Sequence, residues 1–144
     1  MDNNYMISVV GTQEVDGERE SVEVITEGDI TFKNGHTYIS YREYDSENPE
    51  RYSHNLVKIE DGGKVTIIRK GEIESRLILE EGKRNQCYYR TIAGNLMIGI
   101  FTESIKKNFD EKGGTLRLKY SVDFNNDFVS NNEIKLEIKE KIKD

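Results

Sequence analysis

The chain has no tryptophan, one cysteine, one proline and two histidines in 144 residues. A single thiol, Cys87, permits no internal disulfide, so a cytoplasmic setting is expected. Two histidines and one cysteine are a poor supply for the three or four converging ligands a zinc site needs, and no acidic loop has calcium-ligand spacing. No metal and no cofactor are therefore expected. A Cys87–histidine pair for nucleophilic catalysis has no support in the spacing of His36 and His54, and an isolated cysteine more often packs as a small hydrophobe. No enzyme is expected. Long apolar runs are missing as well. The uncharged stretch from Thr91 to Thr102 falls short of the about 20 residues that cross a bilayer, and MDNNYMISVV lacks the basic start and apolar core of a signal peptide. No membrane association is expected. Cationic excess is absent too: the net charge of −6 argues against a nucleic-acid partner, whose phosphates call for clustered Lys and Arg.

What the chain does have is alternation. Apolar residues make up 35% and charged residues 33%, yet the apolar ones recur with a period of two, so an ordered β protein is expected rather than disorder. The spacing predicts strands over 5–15, 21–33, 36–44, 52–60, 64–70, 72–80, 83–91, 96–102, 115–125 and 133–141. Turn signals separate them: Asp16-Gly17, Asn34-Gly35, Asp61-Gly62-Gly63, Glu81-Gly82, Ala93-Gly94-Asn95 and Asn125-Asn126. Gly28 interrupts the second segment, as at a bulge or barrel corner. Ser104 to Gly114 reads as a connector or short capped helix, with Ile105 and Phe109 four apart. A meander of eight to ten antiparallel strands must close or leave edges exposed. A single domain, an up-and-down barrel, is the expected fold, with a Greek-key sandwich as the alternative.

Gly62 to Thr102 carries further information. It contains Arg69, Gly71-Glu72, Ser75-Arg76, then Gly82-Lys83-Arg84, Tyr88-Tyr89, Thr91 and Gly94. This order resembles the YwiB-like family of small bacterial proteins, a domain of unknown function. Thr91-Ile92-Ala93-Gly94 departs from it, since the family often has proline and tyrosine in that loop. The resemblance implies a calycin-like β-barrel and names no catalytic residue.

Alternation assigns faces to the polar residues. Arg69 continues the inward face of Val65 and Ile67, and Tyr89 that of Asn85 and Cys87. A guanidinium fork with a tyrosine hydroxyl suits a carboxylate, so Arg69, Tyr89 and Tyr120 form the expected anchor for a small anionic or amphipathic ligand. The competing reading has Arg69 closing the barrel end on Glu72 or another carboxylate, with a filled interior. Arg76, Arg84, Tyr88 and Arg90 face outward and define an alternative protein- or RNA-interaction surface, with Glu74 and Glu80 as neutralising neighbours. Monomer and homodimer remain open.

Overall fold

The computed structural model describes residues 4–141. Its ten strands are β1 (Tyr5–Val15), β2 (Glu18–Lys33), β3 (His36–Tyr44), β4 (Tyr52–Ile59), β5 (Val65–Lys70), β6 (Glu74–Leu79), β7 (Arg84–Thr91), β8 (Gly94–Asp110), β9 (Gly113–Phe124) and β10 (Asp127–Glu140). Each strand pairs antiparallel with the next, and β10 returns to β1, closing the ring. The all-β up-and-down barrel expected from alternation is thus the observed fold, and the two-sheet sandwich is excluded. Closure follows from the ends of the chain. Ile138, Leu136 and Ile134 on β10 pair with Ile7, Val9 and Gly11 on β1, so both strands complete one apolar wall.

The tight turns lie where the sequence signals them. Asp16-Gly17, Asn34-Gly35 and Asn125-Asn126 all have positive φ at both residues, the geometry whose twist matches the flanking strands. Gly28 is a corner. β2 pairs with β1 from Glu18 to Gly28, then with β3 from Gly28 to Lys33. A Cβ at Gly28 would overlap Ile7 Cδ1 and the Ser40 carbonyl oxygen, so only glycine lets the three strands meet there. One consequence is that residues 18–27 of β2 are paired on one side alone.

The expected connector at Ser104–Gly114 is instead strand: β8 runs on to Asp110 and β9 begins at Gly113. A spacing of four fits a strand as well as a helix, because it is twice the strand period. The deciding position between Ile105 and Phe109 is Lys107, whose charge hides the alternation. Lys107 lies at the rim, where its Nζ donates to the Glu60 carbonyl at 3.3 Å. A bulge at Glu103 adds a second disguise by shifting the register between Thr102 and Ser104.

The middle of the barrel is solid. Ile7, Ile39, Val65, Leu79, Ile100 and Leu118 expose no surface that a water molecule could reach, so no cavity adjoins them. Each such side chain contributes on the order of 1.5–3 kcal/mol through burial. The filled interior weighed from the sequence therefore describes the centre, and the open clefts lie at the ends and where β2 parts from β3.

Candidate functional site

One layer above the apolar centre, the inward face changes character. Tyr41, Asn55, Arg69, Ser75 and Tyr89 are register partners in succession across β3, β4, β5, β6 and β7. The row immediately below is Ile39, Val57, Ile67 and Leu77, so the polar belt begins abruptly. Asn55 and Ser75 are buried.

Arg69 is half-buried and only partly satisfied. Its Nη2 donates to Glu43 Oε2 at 3.3 Å and to Ser53 Oγ at 3.5 Å. Its Nε is buried and meets no partner among the described residues. The Nδ2 of Asn55, directly across the β4–β5 pair, is likewise buried and unpartnered. Both donors lack an acceptor among the described residues, and such donors are costly to leave unmet. Burial, reinforced by Glu43 and opposed by Arg69, pushes the Tyr41 hydroxyl up to about 12. It stays a neutral donor at physiological pH.

Through Arg69, the belt meets a cleft of about 570 Å³ at the barrel mouth. Five consecutive β2 residues, Val22 to Thr26, line one side; the ends of β3 and β4 line the other, with Arg69 and Ile73 between. The cleft exists because β2 leaves β3 at Gly28. Thr26 Oγ1, donating to the Arg42 carbonyl at 2.9 Å, tacks the two strands together where they part. Tyr44, Tyr52 and His54 form an aromatic rim, with the Arg42 guanidinium 4.5 Å from the Tyr52 ring centre. Arg51 and Glu72 pair across the rim at 2.5 Å.

The expected anchor is therefore divided. Arg69 lines the cleft, paired with Glu43 rather than Glu72. Tyr89 shares its belt two strands away. Tyr120 is near Tyr89 and Cys87, and burial pushes its hydroxyl up to about 12. Its open side lies in a separate hollow of about 150 Å³ beside Asn132. Neither tyrosine lines the larger cleft. Tyr41, Glu43, Ser53 and Asn55 were absent from the sequence reading. Alternation with Val57 and Ile59 does put Asn55 inward, but the meeting of Glu43 with Arg69 depends on register across three strands. Cys87 packs in the core, where burial pushes its thiol up and its Sγ accepts from the Ile78 amide at 3.3 Å.

The outer set lies together on β6 and β7, largely neutralised. Arg84 spans Gly99 to reach both oxygens of Asp123, at 2.8 and 2.6 Å. A side chain at position 99 would occupy the space the guanidinium fills. The bond holds the Asp123 carboxyl below, and the Arg84 guanidinium above, their ordinary values. Arg90 pairs with Glu74 at 2.5 Å. Glu80 pairs with Lys83. Arg76 stands opposite Tyr88, whose hydroxyl donates to Asn95 at 3.2 Å. Among the described residues, no group of three His, Cys, Asp or Glu side chains converges on a metal position. Nor, among the described residues, is any helix long and apolar enough to cross a membrane.

A closed ten-stranded antiparallel barrel with a solid centre and a polar mouth defines the class of protein. Within it, the chain belongs to the family described as "Domain of unknown function (DUF1934)", whose model matches residues 7–136. It is 28% identical over 109 residues to the "Uncharacterized beta-barrel protein YwiB" of Bacillus subtilis (strain 168), covering 76% of this chain and 74% of that protein. The crystal structure of the ywiB protein from Bacillus subtilis superposes with a TM-score of 0.83 at 22% identity, covering 96% of this chain and 92% of the other. That likeness concerns the fold.

Proposed function

We propose that this barrel is a non-enzymatic binding protein whose mouth accepts a molecule with a carboxylate and an apolar body. The observation that carries this reading is Arg69, a half-buried guanidinium that lines the large cleft and whose Nε has no partner among the described residues. A carboxylate is the natural acceptor for a cationic guanidinium with a donor to spare. Val22, Val24 and Ile73 offer an apolar bed for the rest of the ligand. The Glu43 partner of Arg69 favours ligands able to share the guanidinium rather than displace it. Binding rather than catalysis suits a chain whose nucleophile, Cys87, is held in the core as a thiol. A cytoplasmic setting, inferred from that unpaired thiol, belongs to the same proposal. The outer Arg76–Tyr88 face remains the alternative interaction surface, with less free charge than its arginines suggest.

Native mass spectrometry of the protein purified from its own host tests the reading. A bound mass that is retained through gentle desolvation and absent from Arg69→Ala is expected. Wild-type protein that is uniformly ligand-free, and that also fails to bind added carboxylates, would contradict it.

A further inference from the structure

Resting on that reading of the mouth, we infer that its ligand is the C-terminal segment of another polypeptide, bound in extended form along the free edge of β2. Residues 18–27 of β2 pair with β1 and, among the described residues, have no strand on their other side, since pairing with β3 begins only at Gly28. The backbone groups on that side therefore face the cleft, which is lined by five successive residues, Val22 to Thr26. A run of main chain as a cleft wall is the platform for strand addition, in which an incoming peptide completes the ladder. Val22 and Ile25 are 68% and 67% exposed on alternate faces, as expected of a strand that lacks its neighbour.

The chemistry separates a peptide from a lipid-like carboxylate. An alkyl chain lying here would dry the β2 amides and carbonyls without bonding to them, and unmet buried backbone groups are costly. A peptide bonds to them and still presents one carboxylate, its terminus, to the Arg69 guanidinium that lines the same cleft. Charge argues against a second copy of this chain on the same edge. Glu18, Glu20 and Glu23 outnumber Arg19, while Glu27 is paired with Lys141, so two such edges repel. The same carboxylates favour a peptide with basic residues facing outward and apolar residues facing Val22 and Ile73.

The test uses two libraries of the same random decapeptides, one ending in a free carboxylate and one in an amide, with decanoate as a third probe. Binding is expected from the free-carboxylate library. Hydrogen exchange should slow at cleft-facing amides within Val22 to Ile25. Affinity should fall about tenfold or more on amidation, and similarly in Arg69→Lys, which keeps the charge and removes the Nε donor. Amidation alters only the peptide, so that arm is independent of protein folding. Peptides that bind equally well as amides, or that protect a different strand, overturn the inference. Decanoate binding that is lost in Arg69→Ala, without any peptide binding, overturns it too, while leaving the carboxylate site intact. Failure of every probe overturns both.

Discussion

Tyr41 and Tyr120 show how one polar atom registers its surroundings. Both hydroxyls are pushed up to about 12 by burial, from an ordinary value of 10.0. Each therefore supports the fold fully below pH 10.0 and loses that contribution as pH climbs towards about 12, because the unfolded chain releases its protons first. Urea midpoints measured from pH 9 upward should fall along this limb, and Tyr120→Phe should make the fall shallower. An unchanged slope in that variant would mean that Tyr120 is not buried in the neutral form. Arg69 reports on its environment differently. Its charge is met by Glu43, yet its Nε remains unbonded in a buried position. That combination makes it a candidate binding group rather than only a rim closure.

At the scale of the element, the glycines of the long strands govern what neighbouring strands can do. Gly99 leaves room for Arg84 to cross β8 and grip Asp123 on β9. A methyl group there should push the guanidinium aside. In Gly99→Ala the Asp123 carboxyl is expected to titrate higher than in the wild type, because the Arg84 hydrogen bond, the main cause of its lowering, is lost. The bridge contributes stability above the ordinary carboxyl range and loses it as pH falls through the lowered value. The variant's acid limb should accordingly be flatter, which carboxyl-carbon NMR and acid unfolding both read. These elements also mark the limits of the sequence. Alternation and paired turn residues were enough to locate nearly every strand and the inward face of Arg69, Tyr89 and Tyr120. The second half of β8 escaped, because Lys107 occupies the position that distinguishes strand from helix and Glu103 shifts the phase. The site escaped in part for a related reason. Arg69 and Asn55 face inward by period alone, but whether they find partners depends on strands far apart in sequence, and the cleft beside Arg69 forms where β2 parts from β3 at Gly28. The bulk that would fill a position is legible in a chain; the distance between strands far apart in sequence is not.

For the whole molecule, the decisive feature is where polarity enters the ring. A closed barrel removes sheet edges, yet this one leaves part of β2 unpaired at its mouth and sets a polar belt beneath it. The centre, packed around Ile39, Leu118 and their neighbours, holds that mouth open by fixing the strands below it. The group on which binding at the mouth turns is Arg69, the belt member that lines the cleft. The most direct measurement is an NMR titration that follows the arginine Nε–H signals as carboxylate ligands are added. The Arg69 Nε signal should move and saturate, while those of Arg84 and Arg90 stay fixed. Motionless belt signals, or a response confined to Arg76 on the outer face, would contradict it.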